Sequence, residues 1–321
     1  MPRTYEPAAR PTMYFIGVTT TKSSIMKVFP AWARELDLDA VIQGIDLPLD
    51  DTPDHYREVV EFIKKDPNSL GALVTTHKLN LYKAAHDLFD GVGRDTGLLD
   101  EVSSISKRGG RLWGHAMDPV TSGLALEDIV PDGYWSRTGG AEMLLLGAGG
   151  SALALTLYLH NRATAGHDVP SRIVVTNRRE ARLREMRTVH ERLGFAIPVE
   201  YHLTPEPRDN DEQLRTLAAR SVVVNATGLG KDRPGSPLTG SAVFPLGGIA
   251  WDFNYRGDLL FLDQARAQRA ARELRVVDGW LYFIHGWTRV IAEVFHTDIA
   301  THGPAFERLS RIARDVTQEN T

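Results

Sequence analysis

The sequence predicts an α/β chain of two domains: a first with a mostly parallel sheet, and a second that binds a dinucleotide. Three observations predict it. Residues 141–153 (AEMLLLGAGGSAL) place the apolar run Met143 to Leu146 directly before Gly147, Gly149 and Gly150. A run that short suits a strand buried on both faces of a parallel sheet. Ser151 then opens a stretch of helical composition, so strand, glycine turn and helix follow in order. Such a corner lets a pyrophosphate approach the backbone and meets it with the free N–H groups and positive dipole end of the helix. Second, β-type and helical runs alternate on both sides of this corner, the pattern of parallel sheets with helices on their faces. Third, 321 residues are enough for two cores of ordinary size.

The composition narrows the class. With 42% hydrophobic and 24% charged residues, the chain is an ordinary globular protein. A net charge of −4 leaves no excess of Lys and Arg for a nucleic-acid face. No apolar run approaches a membrane span, and the opening MPRTYEPAARPT has no apolar signal core. Zero cysteines exclude disulfides, thiolate metal sites and a cysteine nucleophile. The eleven histidines show no ligand spacing on a shared helix face, so no metal is expected. These features fit a cytoplasmic protein that binds neither nucleic acid nor membrane; a monomer or homodimer with a small-molecule partner is the expectation, which composition alone does not fix.

Residues 1–12 carry three prolines and read as a loose arm. Met13 to Val18 is a β-type run ending in the polar stretch Thr19 to Ser24. Ile25 to Leu38 has helical spacing, with Ile25, Val28, Phe29, Trp32 and Leu36 on one face. A strand at Ala40 to Ile45, a helix at Tyr56 to Lys65, a strand at Ala72 to Thr75 and a helix at Leu81 to Phe89 follow. Val102 to Ser106 and Arg111 to Gly114 flank Gly109-Gly110, a hairpin signal. Thr121 to Ile129 is helical, and residues 131–140 read as a polar boundary loop.

The second unit then runs as strand 143–146, helix 151–162, strand 172–176, helix 180–193, a weak strand near 198–202 and strand 221–225. Strand 251–253, helix 259–273 and strand 274–277 complete it. The closing helices, Tyr282 to Phe295 and Ala305 to Val316, have no sheet left to join and are expected to pack back on the first domain. The expected domains are therefore 1–130 with 281–321, and 131–280.

Four motifs occur in order along the second unit. The first is the corner itself, Gly147, Ala148, Gly149, Gly150, Ser151 and Ala152. The second, after the next strand, is Asn177, Arg178, Arg179 and Arg182. The third is Asn225, Ala226, Thr227 and Gly230, and the fourth is Asp252 with Tyr255. In this order they resemble the shikimate/quinate dehydrogenase family, from about Tyr14 to about Phe295. The resemblance implies an N-terminal substrate domain, a C-terminal Rossmann domain that binds NADP, and helices that return to the substrate domain. It also implies hydride transfer at a ring hydroxyl or ketone of shikimate or a related cyclic hydroxy acid.

The cofactor residues also have a reading of their own. Positions 177–182 follow a β-run, where the adenosine ribose should lie. An acid there selects NAD, whereas arginine neutralises a 2′-phosphate and selects NADP. Arg178, Arg179 and Arg182 favour NADP, and Glu180 leaves NAD possible. A solvated, charged helix start is the alternative from composition alone.

The resemblance places catalysis on Lys78 and Asp118. The family's lysine loop, N-V-T-x-P-x-K, is matched by Val74, Thr75 and Lys78, and its G-x-N-T-D segment by Gly114 and Asp118. A lysine beside a carboxylate can return a proton to the oxygen that hydride transfer leaves charged. Without the pattern, a loop lysine would read as a surface charge.

The departures fall on substrate contacts. The lysine loop has lost its asparagine and proline and is one residue shorter (LVTTHK). The family's substrate asparagine has become Ser103, N-T-D has become Ala116-Met117-Asp118, and His285 stands near the family's C-terminal glutamine. Thr21 and Ser23 match the family's S-K-S, which binds a substrate carboxylate; a helix N-cap by Ser23 or Ser24 is the local alternative. The substrate-binding set is thus Thr21, Ser23, Thr75, Ser103, Tyr255 and His285. Because the cofactor motifs are better kept than the substrate contacts, an aminated analogue, quinate or a cyclitol is the alternative substrate, and a non-catalytic NADP sensor the alternative class.

Overall fold

A computed structural model describes residues 5–49, 51–231 and 233–318. The first four positions of the expected N-terminal arm lie outside the described residues. The chain divides into two units, Met1–Met117 with Ile284–Thr321, and Asp118–Phe283.

In the first unit β1 (Thr12–Gly17), α1 (Ile25–Glu35), β2 (Val41–Asp46), α2 (Pro53–Lys65), β3 (Ser69–Val74) and α3 (Lys78–Ala85) alternate as the sequence pattern requires. Two short elements, β4 (Gly91–Val92) and α4 (Arg94–Leu99), lead to the hairpin β5 (Ser104–Arg108) and β6 (Arg111–His115). The sheet order is β2-β1-β3-β5-β6-β4. Its first three strands are parallel, and β5 runs antiparallel to β3 and to β6. Gly109 and Gly110 turn the hairpin with φ of +57° and +76°, the left-handed pair that a type I′ turn demands. Ile25, Val28, Phe29 and Trp32 are buried along α1, and Tyr56, Val59, Val60 and Ile63 along α2. Thr52 caps α2 by accepting from the His55 N–H, with Pro53 at the first helical position.

The second unit begins with α5 (Asp118–Ile129) and the short α6 (Tyr134–Arg137). It continues through β7 (Met143–Leu146), α7 (Gly150–Thr164), β8 (Ile173–Asn177), α8 (Glu180–Leu193), β9 (Val199–Leu203), α9 (Pro207–Arg215) and β10 (Val222–Asn225). The last elements of its sheet are β11 (Ile249–Asp252), α10 (Leu260–Arg272) and β12 (Arg275–Val277). The order is β12-β11-β10-β7-β8-β9, all parallel. This is the Rossmann order, with its switch point between β7 and β10. Every residue of β7, β10 and β11 is buried, which accounts for their unbroken apolar runs.

Helix α11 (Trp280–Phe295) crosses from the second unit to the first, and α12 (Gly303–Gln318) packs on α1. The Trp32 indole N–H donates to the Leu309 carbonyl at 2.8 Å, and Phe306, Leu309 and Ala313 are buried.

Some elements differ from the sequence expectation for physical reasons. Helix α5, expected with the first domain, groups with the second unit because Gly123 lets its backbone lie against Tyr158 of α7; a Cβ there would sit 2.2 Å from the ring. Helix α9 has no apolar stripe. Pro207 at its start and a capping box between Glu206 and Asp209 define it instead. The expected helix 81–89 begins three residues earlier, at Lys78, and its last turn is 3₁₀ (His86–Leu88). Helices α4 and α6 fall in stretches that read as loops, and each is too short to show a period.

Candidate functional site

In the second unit the four motifs lie at the C-terminal ends of the neighbouring strands β8, β7, β10 and β11, around the switch point. Gly147 has φ +112° and donates its N–H to the Thr176 carbonyl at 2.9 Å. A Cβ on Gly147 would lie 2.9 Å from the Ala226 carbonyl oxygen, so glycine alone lets the two loops pass. The Ala226 N–H in turn donates to the Leu146 carbonyl at 2.9 Å. Gly149 is the N-cap of α7 and uses no side-chain cap; a Cβ on it would meet nothing within 4 Å. No side chain caps the first turn of α7, and an uncapped helix N-terminus is a setting in which phosphates can bind. Ala148 and Ala152 are buried beneath it, and Ser151 is half-buried.

Asn177 ends β8, and its side-chain carbonyl accepts from the Arg179 N–H at 2.9 Å. This turn leads Arg178 and Arg179 out as exposed side chains ahead of α8. Arg182, one turn further, pairs with Glu185 at 2.7 Å.

Asn225 is fully buried, and its amide works inside the unit. Its Oδ1 accepts from the Thr227 N–H at 3.2 Å and from the Thr227 hydroxyl at 2.7 Å, which shapes the Ala226–Thr227 turn. Its Nδ2 donates to Asp252 Oδ2 at 2.9 Å. Asp252 is fully buried and also accepts from the Asn254 N–H at 2.8 Å. Burial pushes its carboxyl up to about 6, against the hydrogen bonds from Asn254 and Asn225 that favour the anion. Tyr255, three residues on, is half-buried against Trp280 and Phe283 with ring centroids 5.6 and 4.6 Å away.

In the first unit, candidate residues gather at the C-terminal ends of the parallel strands, where ligands of open α/β sheets bind. Thr75 follows β3; its N–H and hydroxyl both donate to the Ile16 carbonyl, at 3.0 and 3.2 Å. Gly17 lies against it, since a Cβ there would be 3.0 Å from the Thr75 hydroxyl and 3.3 Å from Thr20. Thr20 holds its own loop by donating its N–H and hydroxyl to Asp46 Oδ1 at 2.7 and 2.6 Å, which leaves Thr21 exposed and Ser23 half-buried. Lys78 is half-buried in the first turn of α3, with its carbonyl accepting from the Val102 N–H at 3.3 Å. Asp118 opens α5 in the second unit, and its carbonyl accepts from the Ser122 hydroxyl at 2.7 Å.

No family model matches the chain. A curated relative, the shikimate dehydrogenase (NADP(+)) of Symbiobacterium thermophilum, is 28% identical over 221 residues, 68% of each chain. Among solved structures, the shikimate dehydrogenase of Aquifex aeolicus superposes with a TM-score of 0.72 at 17% identity, covering 98% of this chain and all of that one. The enzyme of Thermus thermophilus, solved with NADP(H) and shikimate, gives a TM-score of 0.65 at 22% identity over 95% of this chain and 99% of that one. The chain is thus similar to shikimate dehydrogenases in sequence and shares their fold.

Two positions assigned to substrate binding by the family pattern sit in closed surroundings here. Ser103 is buried, and its Oγ accepts from the Met117 N–H at 2.7 Å and donates to the His115 carbonyl at 3.3 Å. It thereby fixes the backbone that leads to Asp118. His285 is fully buried and stacks on Phe306 of α12, with centroids 4.4 Å apart. Sequence reasoning passed over His77, a buried side chain directly before Lys78. A histidine adjoining a candidate acid/base lysine was the available signal.

Proposed function

We propose that this protein is an NADP-dependent dehydrogenase of the shikimate dehydrogenase type. It would interconvert a ring hydroxyl and a ring ketone of shikimate or a related cyclic hydroxy acid. The observation that carries the reading is the switch-point corner. Gly147 passes against Ala226 where only glycine fits, and beside it the start of α7 carries no side-chain cap. These residues suit a dinucleotide diphosphate: Gly149 to Ala152 would take the phosphates, and Arg178 with Arg182 the 2′-phosphate that separates NADP from NAD.

Bound NADP supplies the hydride acceptor or donor. Lys78 donates a proton to the ketone oxygen on reduction and recovers it from the hydroxyl on oxidation. Asp118 accepts from a substrate hydroxyl and orients the ring. Thr21 and Ser23 offer hydroxyl donors to the acid group, and Thr75, whose hydroxyl donates to Ile16, can accept from a substrate hydroxyl. Ser103 contributes by bracing residues 115–117, and Asn225 by shaping the Thr227 turn.

The relatives' names favour a place in aromatic amino acid biosynthesis, and a cysteine-free composition suits a reducing cytoplasm. Lys78→Ala tests the reading. Turnover of shikimate with NADP should fall by about 10³-fold or more while NADPH binding persists. Undiminished turnover would remove Lys78 from the mechanism. Tight NADPH binding by a wild-type protein that turns over no ring hydroxy acid would favour a sensor instead. Restored growth of an aromatic auxotroph by the wild-type gene would support the pathway assignment.

A further inference from the structure

His77 precedes Lys78 and is 1% exposed, yet both of its ring nitrogens have partners. Nε2 lies 3.1 Å from the Leu47 carbonyl and Nδ1 lies 2.9 Å from the Tyr56 hydroxyl. A carbonyl can only accept, so Nε2 carries the proton; in the neutral ring Nδ1 then accepts from Tyr56. Burial pushes the imidazole down from its ordinary value, in keeping with the neutral ring. Leu47 is itself tied to β1, its N–H donating to the Gly17 carbonyl at 2.8 Å.

The loop that carries Lys78 is held at several points. Thr75 is bound to Ile16, the Lys78 N–H donates to the Thr75 carbonyl at 3.2 Å, and the Lys78 carbonyl accepts from Val102. Residues 75–77 contain no proline to fix φ, so hydrogen bonds do that work. Those of His77 reach Tyr56 of α2 and Leu47 just after β2, elements that β1 and β3 do not supply.

We propose that His77 is the positioning residue for Lys78, its neutral ring clamping the loop between Tyr56 and the Leu47 carbonyl so that the lysine amine is presented in one orientation. Removing the clamp leaves a buried cavity and frees the first turn of α3 to rotate, which moves Lys78 without altering its chemistry. An error of about 1 Å in such a group costs on the order of 10²-fold in rate.

The inference rests on Lys78 acting in turnover, so its test includes a readout that does not. Tyr56→Phe removes one hydrogen bond at constant shape, His77→Gln keeps a donor near Nε2, and His77→Ala removes both bonds. Reactivity of Lys78 toward an amine-acylating reagent, followed across pH by peptide mass spectrometry, reports its setting directly; kcat and KM with NADP and shikimate report its use. The expected result is a changed Lys78 acylation profile in His77→Ala, with kcat reduced about 10- to 100-fold and KM for NADP unchanged. His77→Gln should recover most of that loss, and Tyr56→Phe should show a smaller loss of the same kind. A folded Tyr56→Phe and a folded His77→Ala with wild-type acylation and wild-type kcat would overturn the proposal. If His77→Ala does not fold, Tyr56→Phe decides it: wild-type acylation and wild-type kcat in that variant overturn the clamp. Absence of wild-type turnover would refute the dehydrogenase reading, while the acylation profiles would still judge His77.

Discussion

Asn225 at the end of β10 donates to the fully buried carboxylate of Asp252 at the end of β11, across 2.9 Å. The bond joins the strand that forms the switch point to its neighbour, and the same asparagine shapes the Thr227 turn on its other side. With its carboxyl raised from 3.8 to about 6 by burial, Asp252 binds a proton more tightly in the folded chain than in the unfolded one. Its contribution to stability is then fully present below about pH 4 and is lost as pH rises through about 6. The expected span is at most on the order of 3 kcal/mol. Asp252→Asn cannot titrate, so the difference in unfolding free energy between wild type and variant should fall from pH 4 to pH 6 and be flat above pH 7. Denaturant melts at several pH values check this. Parallel profiles for the two proteins would show that Asp252 does not titrate in this window.

Gly147 supports a second prediction. Its φ of +112° and the 2.9 Å that would separate an added Cβ from the Ala226 carbonyl make Gly147→Ala strained twice over, by backbone conformation and by contact. The variant should lose about 1–3 kcal/mol of stability. It should also bind NADPH at least about tenfold more weakly, because the Ala226–Thr227 turn must move away from the phosphate corner. Thermal melts and fluorescence titration measure the two effects. Gly149→Ala offers a contrast, since a Cβ there meets nothing within 4 Å. It should fold normally and weaken only cofactor binding. Equal stability of Gly147→Ala and wild type would contradict the packing argument.

The contrast between these glycines also shows what could be read from the sequence. Met143 to Leu146 and the glycines after it announced the strand, turn and helix, because a doubly buried parallel strand must be apolar throughout and a phosphate corner must lack side chains. The strand alternation was legible for the same reason. Helix α9 was not, because its stability comes from the Glu206–Asp209 capping box and from Pro207 rather than from an apolar stripe. At the candidate site, Lys78, Asp118 and the arginines were visible as chemistry in a motif. The inward roles of Ser103, His285 and Asn225 were not, since a polar residue type does not reveal whether its partners are a ligand or its own backbone. His77 was hidden likewise: its use depends on Leu47 and Tyr56, 30 and 21 residues away.

The packing of α5 on α7 gives a third prediction. A Cβ on Gly123 would lie 2.2 Å from the Tyr158 ring, whose hydroxyl is bound to Glu127 and so resists displacement. Gly123→Ala gains helix propensity of about 1 kcal/mol, yet it forces the ring or the helix to move. The clash should prevail, with a net loss of about 1–2 kcal/mol. Tyr158→Ala in the same background should relieve the steric part, so the double variant should be more stable than the sum of the single changes. A denaturant series on the four proteins measures the coupling. Additive behaviour would mean that the helices separate rather than collide.

The arginines after β8 decide cofactor choice in the last prediction. Arg178 is exposed at the bend that Asn177 sets by accepting from the Arg179 N–H, whereas Arg182 already pairs with Glu185 at 2.7 Å. A 2′-phosphate must compete with Glu185 for Arg182, so Arg178 should carry more of the discrimination. Arg178→Ala should weaken NADP binding by roughly 10- to 100-fold, as expected for losing a charge-assisted contact, and leave NAD within about twofold. Arg182→Ala should cost less, and Glu185→Ala should strengthen NADP binding slightly by releasing Arg182. Because both arginines are exposed, the preference for NADP over NAD should shrink as salt is raised from about 0.05 to about 0.5 M. Parallel titrations with NADPH and NADH at the two salt concentrations read all of these effects. Equal losses for both cofactors in Arg178→Ala would place that arginine on the diphosphate rather than on the 2′-phosphate.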